Sequence, residues 1–306
     1  MNLREWALPV YTILMQLATG ALFVLWAIRS AQLAKYGRAE LDRVTKHPIL
    51  ILFFTILTAI LWAHFHLSRP FLSFLAVGNL GSSWLSREIL FTVLFLLSVG
   101  GLAALQWFAR ETTRFQTWLG WIAILFGGAN TLCMSLIYLL PTQPIWNSAL
   151  TTLGFFATTM LLGVNAMFAM LVMDLQLAQV RESGDHNIRT QIVQSNLTWF
   201  AIMMLTTAGF TLLFNVEQIL WLQSGDELAT TSLELLLGLY RSLFILRFGL
   251  LIAGVGWLLA VAWLVIRRKK PMLELLGHIY LSFLFVLVGE ILGRFLFYAM
   301  HVRLGI

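Results

Sequence analysis

A histidine paired with a carboxylate can take a proton from a bound hydroxyl and hand it on toward water. The sequence carries such groups in a few short stretches: His64 and His66, then Glu88, and later Glu290 with Arg294, with Glu217 and Arg247 as further ionisable neighbours. In a helix turning about 100° per residue, Glu290, Arg294, Tyr298 and His301 project within roughly 80° of one another and form one polar stripe. Two readings of that stripe stay open. Glu290 and Arg294, four residues apart, can make a structural salt bridge, or they can be the polar wall of a cavity. His64 and His66 point about 160° apart on a helix, so at most one of them enters such a cavity.

The elements that must position these groups are apolar. Hydrophobic residues make up 59% of the 306 positions and charged residues 11%, whereas about a quarter of the residues of a soluble domain are charged. Unbroken apolar runs of this length are compatible only with helices, because each segment must satisfy its own backbone. The first run, from Trp6 to Ile28, has no charge, exceeds a signal-peptide core, and is not followed by a small-x-small cleavage pattern, so it reads as a retained helix. The sequence therefore predicts an all-α, polytopic membrane bundle in one domain, 1–306, with eight transmembrane helices at about 8–28, 48–67, 88–109, 117–140, 150–173, 194–220, 242–266 and 272–298. Pro48 is expected at the start of the second span and Pro271 at the start of the last. The longest connection, Asp174 to Gln191, reads as a solvated loop.

Lysine and arginine fall in alternate connections. Arg29, Lys35, Arg38, Arg43 and Lys46 occupy the first, Arg110 and Arg114 the third, Arg181 and Arg189 the fifth, and Arg267, Arg268, Lys269 and Lys270 the seventh. The positive-inside rule predicts these connections in the cytoplasm and both termini on the outer, periplasmic side. The net charge of +6 is thus an orientation signal and not a nucleic-acid footprint.

Depth follows from a rise of about 1.5 Å per residue. Seven ionisable groups (His64, His66, Glu88, Glu217, Arg247, Glu290 and Arg294) fall toward the outer boundary, while Glu274 and His278 lie on the inner side. Ionisable side chains inside a membrane cost a few kcal/mol each, so they face the bundle interior, pair with one another, or snorkel to the boundary. Asn130 and Asn165 read as inter-helix hydrogen-bonders, and the aromatic residues as lipid-facing or interface-belt groups. Cys133 is the single cysteine, too few for a disulfide or for a cluster held by about four thiolates. A chemistry that suits a histidine and a carboxylate at the membrane edge is the oxidation of a lipid-soluble quinol, with electrons passing to a partner on the same face.

The stretch His66, Leu67, Ser68, Arg69, Pro70, followed by Ser86, Arg87, Glu88 and Ile89, resembles a periplasmic-side region of the dimethyl sulfoxide reductase anchor subunit family. The closing stretch from Gly289 through Glu290, Arg294 and Tyr298 to His301 is similar to that family's last helix, and the eight-span plan agrees over essentially the whole chain. Ser68 stands where the family commonly has glycine. The resemblance implies a multi-pass subunit of the bacterial inner membrane that anchors a periplasmic molybdopterin catalytic subunit and a four-cluster, ferredoxin-like iron–sulfur subunit. It also implies menaquinol as substrate, oxidised with no haem or iron–sulfur cluster in this subunit. On that match, His66 is the hydrogen-bond partner and proton acceptor of the quinol, and Glu88 passes the proton outward. Arg69, shaping the docking surface or the pocket mouth, and Glu290 with Arg294, orienting the opposite wall, follow mainly from the depth argument.

Two alternatives belong to other classes. A polytopic transporter would carry a second polar cluster near midplane with broken helices. A proton-pumping, quinone-interacting subunit would carry ionisable residues from one side to the other.

Overall fold

A computed structural model describes residues 3–65, 75, 78–109, 114–181 and 187–301. Among the described residues the fold is helical, without strands. The elements are α1 (Leu3–His64), α2 (Trp84–Phe108), α3 (Arg114–Leu136), α4 (Ala149–Arg181), α5 (Asn187–Gln223), α6 (Glu227–Glu234), α7 (Arg241–Arg268) and α8 (Leu276–Ala299). Seven of them, all but the short α6, are long and apolar enough to cross a membrane.

The first two expected spans are both in α1, which breaks at Gly37 with φ 74° and ψ 168°. A positive φ of this kind is open to glycine at little cost. The backbone reverses there: Arg29 donates to Asp42 at 2.7 Å, although 13 residues of continuous helix would hold them about 20 Å apart. The ladder against α2 gives the same direction, since Tyr11 meets Thr92 near the start of α2 and Thr45 meets Gln106 near its end. The two halves of α1 are therefore antiparallel, and both contribute an apolar segment.

Two expectations about connections are corrected. Residues 29–47 are helical on both sides of Gly37, so Pro48 lies inside a helix and not at the start of one. Good helix formers such as Ala31, Leu33, Ala34, Glu40 and Leu41 carry the helix past the apolar run. Likewise, most of the expected loop from Asp174 to Gln191 is helix. α4 continues to Arg181, α5 begins at Asn187, and Asp174 is buried with its carboxylate 2.5 Å from His47 Nδ1. The connection from α5 to α7 also holds structure. Asp226 caps α6 by accepting from the backbone N–H of Ala229, and a π-helical turn, Leu235–Leu239, leads into α7. Pro271 does open the last span, ahead of a 3₁₀ turn, Met272–Leu275.

α4 is the central helix: 83% of its most apolar window is enclosed, against 28–44% for the other spanning helices. It packs on α1, α3, α5 and α8. The α1–α4 crossing is close because Gly20 faces Gly163, and a Cβ on either would run into the other helix's backbone. Small residues let helices approach in this way where lipid provides no hydrophobic drive. Phe95, Phe168 and Phe200 fill the interior. Phe54, Leu97, Trp118, Leu125 and Ile202 are exposed on outer faces, as expected of side chains solvated by lipid tails.

Candidate functional site at the polar end of the bundle

Gln16, Glu88, Thr158, Asn215, Arg247, Glu290 and Arg294 gather at one end of the bundle and form two adjoining clusters. The first surrounds a cavity of about 80 Å³ between α4, α5, α7 and α8, lined by Phe155, Thr158, Asn215, Arg247, Glu290, Arg294 and Phe297 among others, with room for several ordered waters. Glu290 and Arg294 are 2% and 6% exposed, so each needs partners within the protein. The Thr158 hydroxyl donates to Glu290 Oε2 at 2.7 Å, and Arg247 Nη2 stands 3.8 Å from Glu290 Oε1. Arg247 Nη1 also donates to Asn215 Oδ1 at 3.0 Å.

Arg294 is held from three sides. Its Nη2 donates to Gln16 Oε1 at 2.6 Å, and Gln16 Nε2 in turn donates to the Phe155 carbonyl at 2.7 Å. The guanidinium also lies 3.8 Å from the centre of the Phe155 ring and 5.4 Å from that of Phe297, a cation–π arrangement. Gly293, next to it in α8, makes room for Arg247, since a Cβ there would stand 2.5 Å from Arg247 Nε. Glu290 Oε1, Arg247 Nε and Arg294 Nε have no hydrogen-bond partner among the described residues. Buried polar atoms seldom stay in that condition, so the cavity suits a polar ligand or ordered water.

The second cluster holds Glu88, which is buried near the start of α2. The Tyr11 hydroxyl lies 2.9 Å from Oγ1 of Thr92, one turn along α2 from Glu88. Asn130 Nδ2 donates to Thr92 Oγ1 at 2.7 Å and to the Glu88 carbonyl at 3.2 Å. No described basic side chain forms an ion pair with Glu88. Between the clusters stand Tyr138 and Tyr298, whose hydroxyls are 2.5 Å apart. His301 stacks on Trp146 at 5.3 Å and its Nδ1 lies 2.8 Å from the Tyr298 carbonyl.

Of the site residues expected from sequence, Glu290 and Arg294 line the cavity and Glu88 lies in the neighbouring cluster. His66 and Arg69 fall outside the described residues. His64 ends α1, exposed, with its Nδ1 on the Ile60 carbonyl, and Glu217 is exposed on α5. The structural salt bridge between Glu290 and Arg294 does not form, because each is engaged by a different helix. Asn130 is an inter-helix hydrogen-bonder as expected, and Asn165 reaches Ser282 at 3.4 Å in the same way. Sequence reasoning missed Tyr11, Gln16, Thr158 and Asn215. A glutamine inside the charge-free first span was the one available signal.

Comparison with known proteins agrees with this architecture. The model of a family described as the DMSO reductase anchor subunit (DmsC) matches residues 1–300. The protein is 29% identical over 312 residues to the anaerobic dimethyl sulfoxide reductase subunit YnfH of Escherichia coli (strain K12), covering 99% of this protein and 96% of that one. It is 26% identical over 314 residues to the C subunit of the anaerobic dimethyl sulfoxide reductase of Haemophilus influenzae, covering 99% and 97%. Against the corresponding C subunit of Escherichia coli (strain K12), identity is 27% over 309 residues, covering 99% and 96%. A match over nearly the full length, together with its apolar helices, makes this a multi-pass bacterial inner-membrane protein. The chain belongs to the DMSO reductase anchor subunit family.

Proposed function

We propose that this subunit oxidises menaquinol near the outer leaflet. It would pass the electrons to a four-cluster, ferredoxin-like iron–sulfur subunit, and through it to a molybdopterin catalytic subunit on the periplasmic face. The reading rests first on family membership. The single structural observation that supports it is Glu88, a buried carboxylate at one end of a charge-free crossing, beside a hydrogen-bonded group of Tyr11, Thr92 and Asn130 contributed by three helices.

Oxidation of the quinol to the quinone releases two protons and two electrons. His66 accepts the protons of the two ring hydroxyls one after the other, Glu88 takes each onward, and the outer end of the bundle releases both to water. Tyr11 and Asn130 hold the ground around Glu88. Arg294, stretched over Phe155, and Glu290 form the opposite wall, where aromatic faces suit a ring and charged groups suit its oxygens. Arg69 shapes the mouth. The termini lie on this same periplasmic side and the bundle crosses the membrane eight times.

The proton-pumping alternative needs ionisable groups through the middle of the membrane. Residues 48–63, 89–109, 115–140, 149–173, 190–216, 248–266 and 279–289 contain no Asp, Glu, Lys, Arg or His. The same absence counts against a midplane binding site of a transporter.

The test compares donors. In the assembled complex, His66→Ala and Glu88→Gln are expected to slow menaquinol-driven turnover by about 100-fold or more. A soluble dye that feeds the partner subunits directly should support normal rates. Equal activity with both donors in both variants would sink the site assignment.

A further inference from the structure

The opposite, basic end of the bundle carries a cleft that the quinol reading does not use. Arg43, Lys46, His47, Trp107 and Arg189 line about 470 Å³ between α1, α2 and α5. We propose that this cleft seats the phosphate of an anionic phospholipid.

The charges within the cleft are unevenly balanced. Glu40 sits 2.7 Å from Arg43, and Asp174 serves both His47, at 2.5 Å, and Arg189, at 3.9 Å. Lys46 has no carboxylate partner among the described residues; its ammonium lies 4.0 Å from the centre of the Trp107 ring. That ring is also met edge-on by His47 at 5.9 Å. A cation anchored on an indole, with three N–H donors and no paired carboxylate, is a good receptor for a phosphate oxygen.

Depth and surface favour a lipid over a free ion. Trp107 and Phe108 end α2, and indole rings settle at headgroup level. From the cleft an apolar stripe descends along α2 through Phe108, Ala104, Leu97 and Val93, which are exposed and project within about 60° of one another. Lipid tails fit along that track while the headgroup meets Lys46. Basic pockets at helix ends are a recurrent form of headgroup recognition.

The experiment is native mass spectrometry of the full-length protein in detergent, titrated with phosphatidylglycerol and with phosphatidylcholine of the same acyl composition. The wild type should prefer phosphatidylglycerol by about fivefold or more, the contribution of one well-placed cation. Lys46→Gln should remove most of that preference, Lys46→Arg should keep it, and Lys269→Gln, at the same end of the bundle but outside the cleft, should leave it intact. The Arg variant keeps the test decisive should the Gln variant fail to fold. Equal affinity for the two lipids would overturn the proposal. So would an equal loss from Lys269→Gln, which would mean a diffuse surface attraction. Displacement of phosphatidylglycerol by millimolar inorganic phosphate would make the cleft a free-anion site and overturn the lipid assignment.

Discussion

Arg294 and Glu290 stand one helical turn apart on α8, yet the guanidinium donates to Gln16 and the carboxylate accepts from Thr158, on two other helices. A local ion pair would have left both groups indifferent to the rest of the bundle. Their actual partners tie α8 to α1 and α4 and leave the charged atoms facing the cavity.

Gln16 is therefore the tie that holds α8 to α1 at Arg294. Gln16→Leu removes the described hydrogen-bond acceptor of Arg294 and should destabilise the protein by about 1–3 kcal/mol, since a buried charged donor is left unmade. Chemical denaturation in detergent measures it. A variant as stable as the wild type would show that Arg294 readily finds another acceptor.

Glu290→Gln keeps an acceptor for the Thr158 hydroxyl and removes the charge that faces Arg247 at 3.8 Å. Stability should change by less than about 1 kcal/mol, while the KM for menaquinol rises and dye-driven turnover stays normal. If KM is unchanged in a folded variant, Glu290 does not belong to the wall of the quinol site.

Tyr11→Phe keeps the ring and removes the hydroxyl that meets Thr92, one turn along α2 from Glu88. The expected loss of stability is about 1 kcal/mol. The menaquinol-driven rate should fall several-fold, with the dye-driven rate unchanged. A fall in both rates together would place the effect in folding or assembly, not in the handling of the proton.

At the basic end, Arg29 and Asp42 have side chains 0% and 8% exposed. Asp42→Asn should cost about 3–5 kcal/mol, because it leaves a buried guanidinium uncompensated. The double variant Arg29→Met, Asp42→Leu should recover much of that loss. Thermal melting of both variants checks this, and a double variant no better than the single one would show that the pair is worth more than the packing that replaces it.

The apolar runs determined most of the architecture by themselves. A hydrocarbon layer of nearly constant thickness demands about 20 apolar residues per crossing, so span positions can be read from residue types alone. The clustering of Glu88, Arg247, Glu290 and Arg294 toward one end was legible for the same reason, since helical rise converts sequence position into depth. The ends of the helices were not, because hydropathy marks where the lipid stops and not where the helix does. Asp174 reads as a loop residue yet is buried in α4 against His47, and one left-handed glycine, Gly37, turns what would be a loop into a tight helical reversal.

Only tertiary structure decided who holds whom. Gln16 and Arg294 are 278 positions apart, and nothing local distinguishes that bond from the i, i+4 pair that α8 itself offers to Arg294. The choice is made by burial. Once α1, α4 and α8 close around Arg294 and Glu290, each must satisfy its hydrogen bonds with whichever groups the neighbouring helices bring to that depth, and those are the Gln16 amide and the Thr158 hydroxyl.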